Sequence, residues 1–184
     1  MIYTEITPNP ASLKFVVERT LMKSGSADFP DVSHTADAPI AKKLFDFRFV
    51  EGVFIGDRFI TITKSSDFQW EEIIPTVKDF LKAYFASNQP ILEGAFVEEA
   101  EEEESNDDET TKKIKELLES HVRPAVAMDG GDIIFEGFDE GDGILKLRLQ
   151  GSCSGCPSST ITLKQGIEGL MTRMVPQVKS VEAV

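Results

Sequence analysis

The two cysteines of this 184-residue chain, Cys153 and Cys156, are the residues whose type and spacing most directly suggest chemistry. They lie in the segment Gly151-Ser152-Cys153-Ser154-Gly155-Cys156-Pro157-Ser158-Ser159. With two residues between them, both sulfurs can bind one metal ion or join in a disulfide. A helical pattern follows Pro157, and a helix N-terminus favours negatively charged sulfur. The sequence therefore predicts a reactive or metal-binding site in this loop.

Three kinds of chemistry fit such a Cys-x-x-Cys pair. A thioredoxin-like redox motif also lies between a strand and a helix, but usually within a βαβ unit, whereas the preceding strand here belongs to a hairpin. Structural zinc needs four ligands, and the only two histidines do not supply a convincing pair, because His34 lies in another domain and His121 lies near a helix end. An iron–sulfur cluster also needs four ligands, which two chains related by a two-fold axis would supply. The spacing alone leaves the redox and cluster interpretations equally open.

The composition is that of a globular protein, with 41% hydrophobic and 28% charged residues. Two cysteines are too few for a secreted disulfide scaffold, and the N-terminus resembles neither a signal peptide nor a transit peptide. The sequence contains no run of about 18 apolar residues, so we expect no membrane-spanning helix. We therefore expect a bacterial cytoplasmic protein, and a processed mitochondrial form is equally compatible with these features.

The acidic residues are concentrated in one segment of the chain. Residues 98–109 contain nine acids and no base, and they account for most of the net charge of −13. Because neither flanking region is basic, we expect no nucleic-acid partner. Like charges at this density repel one another and favour an extended tether. The sequence thus predicts two small α+β domains, residues 1–92 and 111–184, joined by an acidic flexible linker, residues 93–110.

Residues 1–92 show the patterns of a small α+β domain. The predicted elements are two strands around the turn at residues 7–10, irregular structure over 23–38, a short helix from Ala38 or Pro39 to about Asp46, a hairpin of residues 49–55 and 58–63, and a longer helix. Because of Pro75, this last helix is expected either to begin close to Trp70 or to bend at the proline. Gly56 as the first of two loop residues predicts a type II′ turn in that hairpin.

Residues 111–184 predict the order α-β-β-α-β. The first helix carries Ile114, Leu117, Leu118 and Val122, and Pro124 is expected to end it. Asp129-Gly130-Gly131-Asp132 predicts a turn into a hairpin, whose second strand, residues 144–149, alternates between leucine and polar residues. After the cysteine loop, a helix with Leu163, Ile167, Leu170, Met171 and Met174 on its apolar face ends before Pro176, and residues 178–184 predict a last strand.

Two segments carry a resemblance to a known family. Met128-Asp129-Gly130-Gly131-Asp132, followed by a hairpin and the Cys153–Cys156 loop, closely resembles the C-terminal domain of NifU, which the Nfu proteins share. The segment Thr7-Pro8-Asn9-Pro10-Ala11-Ser12-Leu13-Lys14-Phe15 resembles the N-terminal domain of the mitochondrial-type Nfu proteins, and Phe59-Ile60-Thr61-Ile62-Thr63-Lys64 fits that domain too. Together the two resemblances cover nearly the whole chain outside the acidic linker.

The resemblance implies an iron–sulfur cluster scaffold or carrier rather than an enzyme. Cys153 and Cys156 match the family's ligand positions for a [4Fe–4S] cluster held between two subunits, and a [2Fe–2S] cluster is also compatible. The implied partners are apo iron–sulfur client proteins, upstream cluster assembly proteins and, on cluster binding, a second copy of the chain. Because the chain lacks the further cysteines of full-length NifU, we expect it to carry clusters rather than assemble them. We expect the cysteine-free N-terminal domain to recognise partners, and a thiol–disulfide oxidoreductase that uses the same pair is the competing interpretation.

Overall fold

The computed structural model describes residues 1–23, 25–93, 107–152 and 157–184, without the side chains of 157–160. The chain divides into two compact units, Met1–Glu102 and Glu103–Val184. Each unit contains helices and one β-sheet, which confirms the predicted α+β class with two domains. Most of the predicted acidic linker lies outside the described residues, so that its flexibility stays a prediction.

The first unit is built on a five-stranded antiparallel sheet with the strand order β1-β2-β5-β4-β3. The strands are β1 (Ile2–Ile6), β2 (Ser12–Val17), β3 (Ala27–Phe29), β4 (Val50–Ile55) and β5 (Phe59–Lys64). A 3₁₀ helix (Val32–His34) and the helices α1 (Pro39–Leu44) and α2 (Trp70–Ala86) complete the unit. The apolar faces of both α-helices share one core with alternate residues of β2 and β5. The aromatic and aliphatic stripe of α2 is therefore core, as its helical spacing indicates.

Two details of the first unit differ from the sequence prediction. The segment 23–38, expected to be irregular, contains β3, because Asp28 pairs with the distant Phe54 of β4. The hairpin turn is not type II′ at Gly56: the Gly56 N–H donates to the Phe59 carbonyl at 3.0 Å, and Gly56 lies outside the left-handed region. Gly56 is needed instead because a Cβ there would collide with the Phe59 ring.

The second unit has a three-stranded sheet of β6 (Gly131–Asp139), β7 (Ile144–Gly151) and β8 (Ser180–Ala183). β6 and β7 are antiparallel, whereas β7 and β8 are parallel. The helical segments are α3 (Glu109–Leu117), a π-helical turn (Leu118–Val122), α4 (Arg123–Met128) and α5 (Pro157–Met174). The described elements follow one another as α-β-β-α-β. Met174, which was expected on the apolar face of α5, is 42% exposed, and the adjacent Val175 is buried in its place.

Pro124 does not end the first helix of this unit, contrary to the prediction. Four buried side chains of this helical segment lie four residues apart, at Ile114, Leu118, Val122 and Val126. In a regular α-helix of 3.6 residues per turn, three such steps would rotate the side chain by about 120° from its starting face. The wider turn closed by the Arg123 N–H and the Leu118 carbonyl takes up this rotation. Pro124 then lies in the first turn of α4, where a missing N–H is tolerated.

Candidate functional site

The predicted ligands Cys153 and Cys156 lie outside the described residues, so that their role stays a prediction. The structure describes the chain on both sides of them. Strand β7 ends at Gly151, Ser152 follows, and α5 begins at Pro157. The two thiols therefore belong to the connection between the second strand of the β6–β7 hairpin and the N-terminus of an 18-residue helix.

Ser152, the residue before Cys153, is fixed by two hydrogen bonds to the Asp129-Gly130 turn. Its hydroxyl donates to the Asp129 carbonyl, and its N–H donates to the Gly130 carbonyl at 3.4 Å. The residue is only 2% exposed. The backbone that leads into the cysteine loop is thus tied to a turn more than twenty residues earlier in the sequence.

Two glycines, Gly130 and Gly151, lie beside these hydrogen bonds, and their backbone conformations explain why glycine occurs there. Gly130 has a φ of +79° and Gly151 a φ of +68°. L-residues with a Cβ reach such angles only at a cost of about 1–2 kcal/mol. Gly131 is paired directly with Gly151 at the end of the β6–β7 ladder. The Asp-Gly-Gly-Asp signature and the start of the cysteine loop therefore lie side by side at the open end of the β6–β7 hairpin, opposite its turn. This open end is called the hairpin end below.

Asp132, the last residue of that signature, is buried and forms an ion pair with the partly buried Arg123 of α4. Arg123 donates from Nε to Oδ1 at 2.9 Å and from Nη2 to Oδ2 at 2.8 Å, a two-point contact that fixes both groups. Asp132 Oδ1 also accepts the Ile133 N–H at 2.8 Å. Arg123 Nη1 contacts Glu119 in the π-helical turn. The hydrogen bond to Asp132 raises the pKa of the Arg123 guanidinium, and Glu119 raises it further, so that the group stays charged.

Buried polar groups gather at this end of the hairpin. Within the described part of the second unit, the buried polar or charged residues are Asp132 and Ser152. Gln150, directly opposite Asp132 in the ladder, has a buried Oε1 with no hydrogen-bond partner in the structure. Buried polar groups are costly unless they are paired, and here Asp132 and Ser152 are both hydrogen-bonded beside the start of the cysteine loop.

The two histidines contribute no metal site in the described part of the chain. His34 is exposed in the 3₁₀ helix of the first unit, with its Nδ1 3.1 Å from Asp31. His121 is exposed in the π-helical turn, where its Nδ1 is 2.7 Å from the Ser120 hydroxyl. Among residues 1–23, 25–93, 107–152 and 161–184, no group of three or more His, Asp or Glu side chains is arranged to hold a metal.

The residues that support the loop could not be found from the sequence pattern. It identified Asp129 to Asp132 as a turn near the site, but not the partner of Asp132 or the tie to Ser152. Arg123 carries a weak signal in retrospect, since it lies between Val122 and Pro124 in an amphipathic helical segment, where a partly buried charge favours a carboxylate partner. No spacing rule connects it to Asp132 in advance, because the contact depends on the π-helical turn.

No described helix is long and apolar enough to cross a membrane.

Comparisons with known proteins agree with the two-unit division. Residues 2–88 match the family described as scaffold protein Nfu/NifU N terminal, and residues 114–182 match the NifU-like domain. NifU-like protein 4, mitochondrial, of Arabidopsis thaliana is 45% identical over 183 residues, which are 98% of this chain and 65% of that protein.

Other relatives give the same result. The NFU1 iron-sulfur cluster scaffold homolog, mitochondrial, of Drosophila sechellia is 44% identical over 184 residues, which are 100% of this chain and 64% of that protein. The chain thus spans just under two thirds of the length of these relatives. The solution NMR structure of a NifU-like protein from Saccharomyces cerevisiae has a TM-score of 0.45 and 28% identity, over 50% of this chain and 83% of that one. With an Nfu/NifU N-terminal domain followed by a NifU-like domain, the chain belongs to the Nfu family of NifU-like proteins.

Proposed function

We propose that the chain is an iron–sulfur cluster scaffold or carrier that binds its cluster through Cys153 and Cys156. Relatives over the whole chain are named as iron-sulfur cluster scaffolds. The observation that carries the proposal is the double hydrogen bond from Ser152 to the Asp129-Gly130 turn. It holds the backbone directly before Cys153 and gives the Asp-Gly-Gly-Asp signature a physical role beside the cysteine pair.

The number of thiols per chain indicates how many chains hold one cluster. One chain offers two thiolates, whereas [4Fe–4S] and [2Fe–2S] clusters are usually held by four. A second copy of the chain would supply the other two, with the cluster at the interface. We propose a [4Fe–4S] cluster shared in this way, so that two irons are bound per chain and the dimer forms on cluster binding.

Transfer would proceed by exchange of thiolate ligands, and the cluster is the cargo. Each step replaces one iron–sulfur bond to Cys153 or Cys156 with one bond to a client thiolate, and the released cysteine takes up the proton that the client thiol gives up. No electron is transferred and no substrate is turned over, which agrees with a carrier rather than an enzyme. Because protons compete with iron for thiolate, cluster binding should weaken at acid pH.

The first unit has a different part in this proposal. It contains no cysteine, so that recognition of apo client proteins and upstream assembly proteins is the role we propose for it. The mitochondrial names of the relatives agree with a processed mitochondrial form. The bacterial cytoplasmic location stays a prediction from the composition.

The double variant Cys153→Ser, Cys156→Ser tests the proposal, with Ser154→Ala in the same loop as the control. After anaerobic incubation with iron and sulfide, the wild type and the control should carry a brown cluster and activate an apo iron–sulfur client, and the double variant should do neither. A cluster retained intact by the double variant would overturn the proposal. A wild type that stays colourless, forms an internal disulfide and reduces insulin would favour the oxidoreductase interpretation.

A further inference from the structure

Arg123 is linked to the cysteine loop by a continuous series of contacts. Its guanidinium holds both carboxylate oxygens of Asp132, at 2.9 and 2.8 Å. Asp132 lies opposite Gln150 in the last rungs of the β6–β7 ladder, next to the pair formed by Gly131 and Gly151. The following residue, Ser152, is tied to Asp129 and Gly130. Arg123 thereby restrains the strand end that continues into Cys153, without being near enough in sequence to belong to the loop.

The ion pair is poorly explained as a device for stability alone. Asp132 is 5% exposed and the Arg123 side chain 26%, and the desolvation of a largely buried pair often offsets its attraction, so that apolar residues of similar size often stabilise a fold equally well. The Oε1 of the neighbouring Gln150 is also buried, and it has no hydrogen-bond partner in the structure. Polar groups are thus buried where the backbone must be positioned, while the rest of the described core of this unit is apolar.

The π-helical turn serves the same contact. Its closing bond, from the Arg123 N–H to the Leu118 carbonyl, places Arg123 at the first position of α4. Glu119 of that turn contacts Nη1, so that the guanidinium is held between the turn and β6. Single π-helical turns inside α-helices occur frequently at functional sites. A plain α-helix would place residue 123 on a different face relative to Ile114 and its buried neighbours.

We propose that Arg123 is a positioning residue of the cluster site, which acts through Asp132 to hold the hairpin end and thereby sets how long the cluster stays bound. The inference rests on the proposed function for its readout, and its geometric part stands on the apo protein. Loss of the groups that orient metal ligands typically weakens metal sites by 10–100-fold, and we expect the lower end, about ten-fold, because Arg123 acts through the backbone.

The test compares Arg123→Gln and Arg123→Lys with the matched control Arg148→Gln. Arg148 lies on β7 of the same hairpin and pairs with Glu136 at 2.9 Å, but it is 54% exposed. The rate of iron release from the reconstituted full chain to an iron chelator should rise about ten-fold in Arg123→Gln. Arg123→Lys keeps the charge but loses the two-point contact, so that its rate should lie between those of Arg123→Gln and the wild type. Arg148→Gln should release iron at the wild-type rate.

A double variant, Arg123→Leu with Asp132→Leu, separates positioning from stability. With this apolar pair, the urea midpoint of the second unit should equal that of the wild type, whereas iron release should stay faster than in the wild type. A release rate that follows the urea midpoint across all variants, or a wild-type rate in Arg123→Gln, would overturn the proposal. If the wild type binds no cluster, the proposed function fails by itself. Amide exchange at Ser152 in the apo chain then decides this inference: exchange faster in Arg123→Gln than in Arg148→Gln supports it, and equal exchange refutes it.

Discussion

Replacement of Ser152 by alanine tests the tie that links the signature turn to the cysteine loop. The Ser152 hydroxyl is buried and donates to the Asp129 carbonyl, while the Ser152 N–H bond to Gly130 does not involve the side chain. The substitution therefore removes one of two bonds and leaves a small apolar side chain in the same space. We expect a local loosening of the hairpin end rather than a loss of the fold.

The magnitude follows from the kind of bond that is lost. A typical intramolecular hydrogen bond contributes a net 0.5–1.5 kcal/mol, so we expect the free energy of unfolding to fall by about 1 kcal/mol. Because the residue Asp129 is exposed, we expect water to reach its carbonyl once the serine hydroxyl is gone, which would keep the effect below the full cost of a buried unpaired group. With a urea dependence of about 1–1.5 kcal/mol per molar for a unit of this size, the midpoint should move by about 0.7–1 M.

The assay can separate the two units because their chromophores differ. Trp70 is the only tryptophan and lies in the first unit, as do both tyrosines, so that fluorescence reports that unit alone. Amide exchange of residues 107–152 reports the second unit, whereas circular dichroism reports both units, so that a circular-dichroism transition without a fluorescence counterpart belongs to the second unit. We expect Ser152→Ala to lower the urea midpoint of the second unit and to leave the urea midpoint followed by fluorescence unchanged.

Ser120→Ala is the matched control for this experiment. The Ser120 hydroxyl donates to the Glu116 carbonyl at 2.8 Å, in the same unit but at an exposed position, and it takes no part in the hydrogen bonds that hold Arg123 or Ser152. Ser120→Ala should leave both the urea midpoint of the second unit and the amount of bound cluster nearly unchanged. The reasoning would be wrong if Ser152→Ala and Ser120→Ala behaved alike in unfolding and in cluster retention.

Three further predictions use other features of the fold. Gly130→Ala should destabilise the second unit by about 1–2 kcal/mol, because Gly130 has a φ of +79°, and Gly166→Ala in open space on α5 should stabilise it by about 0.5–1 kcal/mol; equal urea midpoints would contradict this. Gly143→Ala should cost more than about 2 kcal/mol, since φ is +69° and the new Cβ would lie 2.7 Å from the Gln177 carbonyl oxygen; protection of the β8 amides in hydrogen exchange checks it. Burial and then Glu93 raise the pKa of Tyr84, which favours the neutral phenol in the fold, so the stability of the first unit should be retained below the unfolded pKa of 10.0 and fall as the pH rises through the folded value. In Tyr84→Phe this alkaline fall, followed by fluorescence, should be smaller, and an unchanged fall would refute the assignment.

The regular elements could be predicted because their burial patterns are local. Leu145 and Leu147 alternate with the exposed Lys146 and Arg148, and this period of two fixes a strand with one buried face. Elements that depend on distant partners could not be found in this way. Strand β3 has only three residues and exists because it pairs with β4, more than twenty residues later.

The candidate site was predictable in its chemistry but not in its support. Cysteine type and spacing identify Cys153 and Cys156 without any structure, whereas the contact of Arg123 with Asp132 depends on a π-helical turn that no propensity predicts. The error at Pro124 has the same origin, since a proline in an apolar helix normally marks its end. Gly56 shows the converse case: a glycine that suggested a left-handed turn is required by the ring of Phe59.

Anaerobic reconstitution of the wild-type chain with iron and sulfide shows whether two chains bind one cluster between them. The absorption spectrum, the iron content per chain and the mass by size exclusion are measured on the same sample. We expect a broad absorption band at about 400 nm, about two irons per chain and a dimer, as required for a four-iron cluster held by two Cys153–Cys156 pairs. A colourless monomer that forms a disulfide between these cysteines would contradict it.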